Sequence, residues 1–498
     1  MGLCLPGIPH VSHNPHQRWS LMIAHPRPLI NVFAMLPDFR KPRGTRHPFA
    51  AIFALACCAM LCGARSYSAI AAWERNDGVR IAQALGFTHA PPCAATLHTV
   101  FRHVNRDEFE THLGAWADQV VGSLPPGPET PETAIALDGK TLRGSKKQGA
   151  PGIHLLSALA HHVGVTLAQQ AVGDKTNEIT AVEPILQQLV LEGRIVTMDA
   201  LLTQRHIAQT IGEKGGDYVM IVKENQPQLR ADIELVFTLP PVGDRQATAR
   251  TVDLGHGRIE QRNITTSEAL VGYSKWPGLA QVFELGRHVM FQKTGQERVE
   301  VVYGVTSLRP ERATPERLLA LVRGQWQIEN KSHWVRDVTC DEDRSQVRCG
   351  NIPQVMAALR NTAIGLLRYA GYSNIAAACR RLAAQPLQAL ALIGIELENY
   401  MTLQWTAIGN QGSSPVTTPS RYATSSTPGR NSRSLRRHYS NWFRKPNGSN
   451  QEKGENCTST LRVTEIARVV STPTWLNCKK SFCLDSSAPI CQRSMHPL

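Results

Sequence analysis

Hydrophobic and polar positions repeat with more than one period along this chain, and each change of period marks a boundary. Residues 49–64 are an uninterrupted apolar run of 16 positions, rich in Ala and Cys. That is short of a membrane span and predicts a helix buried on all sides. Helical spacing continues through Tyr67, Ile70 and Trp73 and over residues 95–103 and 106–121. Residues 94–104 suit either the second helix of a helix-turn-helix, with His98, Arg102 and His103 outward, or a member of a plain helical bundle.

Beyond Pro125, Pro126, Pro128 and Pro131 the period shortens. Apolar runs at 135–137, 155–161, 165–172, 195–198 and 218–222 predict strands, whereas residues 179–191 and 204–212 keep helical spacing. Three strands, then helix, strand, helix and strand, is the order of an α/β layer with mixed strand directions. Residues 249–252, 258–264, 281–289 and 297–306 are again strand-like, which predicts a β insertion over about 245–306 before helical spacing returns at Thr314. The expected organisation is therefore a disordered leader at 1–34, an all-helical region at 35–124, an α/β domain at 132–397 and a low-complexity basic tail at 412–498.

Charge adds a partner class. The net charge is +14, and residues 411–498 alone hold 13 Lys/Arg against 4 Asp/Glu. The excess is compatible with nucleic acid without proving it. The 12 cysteines form no CxxC pair and read as small core residues in a reducing cytosol, and no Cys/His set has zinc-ligand spacing. Residues 1–30 lack the pattern of a signal peptide.

Candidate chemistry lies where apolar runs meet acids. Asp138 follows Ile135, Ala136 and Leu137, and Asp199 follows the run 195–198. Asp138 with Gly139 also suits a plain turn, although Lys140 and Arg143 beside it would favour a metal ion with a phosphate. Further on, Val322, Trp326, Glu329, His333 and Arg336 recur at spacings of three or four and are expected on one helix face. The plainer reading there is a solvated face with an ion pair from Glu329 to His333 or Arg336, and Asp337, Asp341, Glu342 and Asp343 are rival acids. Two aspartates at strand ends and a glutamate on a crossing helix would hold two hard divalent ions, Mg²⁺ or Mn²⁺, for phosphoryl transfer on DNA.

Six ordered motifs carry a resemblance: IALDGKTLRGS at 135–145, KTNEITA at 175–181, GRIVTMDALLTQ at 193–204, DYVMIVKENQ at 217–226, GHGRIEQR at 255–262 and WQIENKSHWVRDVTCDEDRSQVRCGNIPQ at 326–354. Together, over about residues 35–395, the chain resembles insertion-sequence transposases of the H-repeat-associated type, in the DDE superfamily with its RNase H-like catalytic domain. The resemblance implies Asp138, Asp199 and Glu329 as catalytic, metal-binding triad and selects Glu329 among the rival acids. It implies double-stranded DNA partners, both element ends and target, a homodimer in the synaptic complex, a cytoplasmic, nucleoid-associated location and no membrane. Lys140, Arg143, Lys223, His333 and Arg336 are the expected DNA-binding residues. Some related groups carry Tyr, Arg and Lys at minus seven, minus four and plus seven from the glutamate, and here Val322, Gln325 and Arg336 stand at those positions. A host nuclease on the same fold and a catalytically silent DNA-binding remnant are the alternative functions. Trp326 and Trp334 fit either core positions or stacking on an unpaired base, and Asn225 and Gln226 are expected to shape a loop.

Overall fold

The computed structural model describes residues 27–43, 45–76, 79–124, 134–147, 151–173, 178–255 and 257–395. The leader up to residue 26, the prolines at 125–131 and the tail at 412–498 lie outside the described residues. The last part of the expected leader, however, is structured: α1 (Leu29–Phe33) buries Leu29, Val32 and Phe33. Its three buried residues are too few to be read as a helix without the neighbours they pack against.

The helical region centres on α2 (Phe49–Leu61), where all but one residue is buried. A helix apolar all round has no face for water, so others must enclose it. Around it lie α3 (Tyr67–Arg75), α4 (Val79–Ala84), α5 (Ala94–His103) and α6 (Arg106–Gly122). Local signals set their starts: Ser66 accepts from the Ala69 amide to cap α3, and Asn105 accepts from the amides of Asp107 and Glu108 to cap α6. Helix α5 buries Leu97, Val100 and Phe101, with Arg102 and His103 exposed.

One sheet comes next, with β1 (Ala134–Thr141), β2 (His154–Ala160) and β3 (Thr166–Val172), then α7 (Glu178–Gln188), β4 (Ile195–Met198), α8 (Arg205–Glu213) and β5 (Asp217–Val222). After α9 (Pro227–Thr238) come β6 (Ala247–Gly255), β7 (Arg258–Ser267), β8 (Gln281–Phe291) and β9 (Glu297–Thr306). The strand order is β3-β2-β1-β4-β5-β9-β8-β7-β6. Strands β1, β4 and β5 run parallel, and their neighbours outward are antiparallel. The strands from 247 to 306 thus extend the same sheet, with β9 pairing on β5 through Met220 and Val305.

A long helical stretch recrosses this sheet as α10 (Pro315–Gln325), a π-helical turn (Glu329–His333) and α11 (Trp334–Val338), before α12 (Ile352–Tyr369), α13 (Ile375–Ala384) and α14 (Gln388–Leu392). Helix α12 packs against both α2 and α6, and α6 packs on β3. One hydrophobic cluster therefore runs from Phe53 and Phe109 of the helical region to Leu137, Met198 and Met356. The seam backs β1 and β4, beside which the acids sit.

Candidate active site

In an α/β sheet, ligand sites form beyond the carboxyl ends of parallel strands. Strands β1 and β4 pair in register Leu137 to Met198, so Asp138 and Asp199 leave adjacent strands at the same level. Asp138 is no turn cap: β1 runs on to Thr141 along β2, with Asp138 opposite Ser157. Asp199 starts a tight exit in which its carboxylate accepts from the Leu201 amide at 3.1 Å. That exit is braced by Thr203, whose hydroxyl bonds the Asp199 and Ile221 carbonyls, and by Asn225, whose amide donates to the Ala200 carbonyl at 2.6 Å. Gln226 donates to the Thr203 carbonyl at 3.0 Å. Asn225 and Gln226 thereby tie the loop after β5 to the loop after β4.

Glu329 arrives from the crossing helix. Its Oε2 lies 3.2 Å from His333 Nδ1, and the same nitrogen lies 3.4 Å from Asp138 Oδ2. One ligand atom from each of Asp138, Glu329 and His333 falls within 4.8 Å of the others. Of the acids between 329 and 343, Glu329 is the one brought to Asp138. The rivals are engaged elsewhere: Asp337 with Lys140 at 2.6 Å, Glu342 with Arg336 at 2.8 Å and Arg360 at 2.9 Å, Asp343 with Lys140 and Arg143, and Asp341 with Arg65 and Arg344.

The helix is anchored by a residue that stood out in the sequence only as a departure from a pattern. The Gln325 amide donates to the Leu137 carbonyl at 2.7 Å, and its Oε1 accepts from the Thr197 hydroxyl at 2.5 Å. Gln325 therefore pins the helix to both strands one residue before Asp138 and two before Asp199. The π-turn then re-phases the residues C-terminal to it, as a wide turn inserted in an α-helix does. The expected single stripe does not form, and it breaks at Trp326, at the end of α10 and before the π-turn. Val322, His333 and Arg336 are buried, whereas Trp326 is 67% and Trp334 47% exposed.

Electrostatics mark the site as short of positive charge. Burial raises the Asp138 carboxyl to about 7, and the carboxylates of Asp199, Glu178 and Glu329 add to the rise. Asp199 is raised by burial and by Glu178. Glu329 is lowered, chiefly by its hydrogen bond with His333. Glu178 is an acid that the sequence pattern did not single out, although it lies within the KTNEITA motif. His154 Nε2 bonds it at 2.6 Å, and a side chain at Gly139 would meet its Oε1 at 2.6 Å. A side chain at this position would therefore push the Glu178 and His154 side chains away from the site.

The expected DNA-binding residues separate into two groups. Arg143 and Lys223 are exposed beside the site. Lys140, His333 and Arg336 are buried, at 9%, 2% and 0% exposure, and each faces an internal partner: Asp337, Glu329 and Glu342. The spacing that placed Arg336 on an outward face failed because the π-turn rotates it toward Glu342. Lys140 is in a salt bridge with Asp337 at 2.6 Å.

Comparison with known proteins gives the family. Residues 129–366 match the "Transposase DDE domain" family and residues 30–117 the "DDE_Tnp_1-associated" family. "Putative transposase YncI" of Escherichia coli strain K12 is 30% identical over 239 residues, covering 47% of this chain and 93% of the relative. This chain belongs to the DDE transposase family. The "H repeat-associated putative transposase YhhI" of the same strain is 28% identical over 348 residues, 68% of this chain and 90% of the relative. A protein from Xanthobacter autotrophicus, "Uncharacterized protein in dhlA 3'region", is 32% identical over 265 residues, 52% and 86% of the two chains. Among solved structures, a piggyBac transposase synaptic complex with hairpin DNA aligns over 82% of this chain and 87% of that one, at a TM-score of 0.36 and 11% identity, too distant to bear on the fold. As a DDE transposase the chain is an enzyme that cleaves and transfers DNA strands. Among the described residues no helix is long and apolar enough to cross a membrane.

Proposed function

We propose that this transposase cuts at the ends of an insertion sequence and joins the freed 3′ hydroxyl to target DNA, using Asp138, Asp199 and Glu329 on an RNase H-like core in which β6–β9 are an insertion. The observation that carries the reading is the convergence of Asp138 and Glu329 where the β1–β4 pairing ends, level with Asp199 just after β4. The donor set fits a hard cation: carboxylate oxygens lie close together, and burial and mutual repulsion raise Asp138. Asp138, Asp199 and Glu329 would hold Mg²⁺ or Mn²⁺, two ions in the full complex. Once bound, the ions supply Lewis acidity at a water or 3′ hydroxyl nucleophile and at the leaving oxygen.

The chain's own residues supply position and access. Gln325, Thr197 and Leu137 fix the helix that carries Glu329 against the strand ends. Asp199 is exposed and Asp138 and Glu329 are half-buried, with Arg143 and Lys223 exposed to take phosphates. Trp326 and Trp334, exposed on either side of Glu329, offer faces for bases unpaired at the element end. The remaining partners are double-stranded DNA at ends and target, and a second protomer in the synaptic complex.

The test is an assay of purified protein with a labelled duplex of the element's own end and a supercoiled target. Joined products together with end cleavage support a transposase. Cleavage without joining assigns the site to a nuclease, and binding without cleavage assigns the chain to a silent remnant.

A further inference from the structure

His333 is the residue of this site that the carboxylate triad leaves without a task. Its ring is 2% exposed, and its Nε2 has no hydrogen-bond partner among the described residues. Its polar engagement is therefore through Nδ1, which sits between Asp138 Oδ2 at 3.4 Å and Glu329 Oε2 at 3.2 Å. The cations nearby do not take that place. Lys140 bonds Asp337, Arg336 bonds Glu342, and Arg143 lies 3.6 Å from Asp343. Two carboxylates thus face one another across an imidazole nitrogen. The three donor atoms lie within 4.8 Å, about the span across an ion with bonds of 2.0–2.4 Å.

Building on the proposed carboxylate site, we propose that His333 is itself a metal ligand, giving one ion through Nδ1 a mixed shell with Asp138 and Glu329. The π-turn carries Glu329 and His333 four residues apart to the same donor cluster, and π-turns recur at functional sites. An imidazole donor has a chemical consequence: it favours later first-row ions over Mg²⁺, whereas an all-oxygen shell does not. The site carrying Asp138 and Glu329 then binds Mn²⁺ more tightly than Mg²⁺.

The experiment uses the full chain and Mn²⁺ alone, followed by electron paramagnetic resonance with pulsed detection of nitrogen coupling. Wild-type protein is expected to show bound Mn²⁺ with coupling from a directly bonded ¹⁴N, which changes to the ¹⁵N pattern when histidine is ¹⁵N-labelled. His333→Gln removes the coupling and weakens Mn²⁺ by at least the roughly 10- to 100-fold that loss of an outer-shell partner costs, with a smaller loss for Mg²⁺. The labelled wild-type measurement stands even if the variant does not fold. Bound Mn²⁺ without nitrogen coupling overturns the proposal, as does coupling that survives in folded His333→Gln. Absence of Mn²⁺ binding at millimolar concentration also overturns it. Asp138→Asn separates the two claims: if it abolishes Mn²⁺ binding while wild type lacks nitrogen coupling, the carboxylate site stands and His333 is only a positioning residue.

Discussion

The side-chain amide of Gln325 donates a 2.7 Å hydrogen bond to the backbone carbonyl of Leu137, the residue before Asp138. Through this bond and the one from Thr197, the helix bearing Glu329 is fixed to both strands that lead to the aspartates. Gln325→Leu removes both bonds but keeps the bulk. End cleavage is expected to fall by about 100-fold, the effect of roughly 1 Å of misplacement, while thermal stability drops by only about 1–3 kcal/mol. Cleavage kinetics and a melting curve on the same preparation check this; unchanged cleavage would remove Gln325 from the positioning role.

Arg336 and Arg360 share Glu342, and all three are almost wholly buried. Burial alone would raise the Glu342 carboxyl, but the two guanidiniums outweigh it and hold it below the ordinary glutamate range. Glu342→Ala leaves two buried cations without their acid and is expected to cost about 3–5 kcal/mol. Chemical denaturation measures the loss. A loss below about 1 kcal/mol would mean that water reaches and solvates the arginines in the variant.

Glu74 is buried on α3, and neither carboxylate oxygen has a hydrogen-bond partner among the described residues. Burial raises it to about 8, and burial raises Glu110 on α6 to about 7. Both folded values exceed the unfolded value of 4.5, so the folded state binds these protons more tightly. The destabilisation is absent below the unfolded value, grows as pH rises toward 7 and 8, and is complete above them. The metal-free protein is expected to melt at a lower temperature at pH 9 than at pH 6. Glu74→Gln should flatten that dependence and raise the melting temperature at pH 9 by about 3 °C or more. A variant with the wild-type slope would show that Glu74 is charged and solvated in the fold.

Trp326 and Trp334 stand exposed around Glu329. If they stack on bases at an opened element end, Trp326→Ala or Trp334→Ala weakens binding of a frayed end by about 1–3 kcal/mol and of a fully paired duplex far less. Fluorescence anisotropy with both DNAs reads the difference. Equal effects on both would make the indoles general contacts rather than stacking faces.

Much of this is legible in the sequence, because the apolar runs that end at Leu137 and Met198 and the alternation beyond Glu297 are backbone periodicities. They announce strands regardless of what the strands pack against. Features that depend on tertiary contact are not legible. The three buried residues of α1 read as leader until α2 and α6 are there to receive them. The π-turn leaves no mark in the spacing, so His333 and Arg336 are expected outward and are buried. Lys140 looks available because its partner, Asp337, lies 197 residues further on. Glu178 lies inside a recognised motif, yet only its pairing with His154 and its approach to Gly139 show that it borders the site.

The most direct measurement of the central claim is Mg²⁺-dependent strand transfer by Asp138→Ala, Asp199→Ala and Glu329→Ala, each assayed beside its binding to the element-end duplex. The account predicts that all three bind the end as wild type does and yield no joined product. Joined product at the wild-type rate from any one of them would contradict the triad.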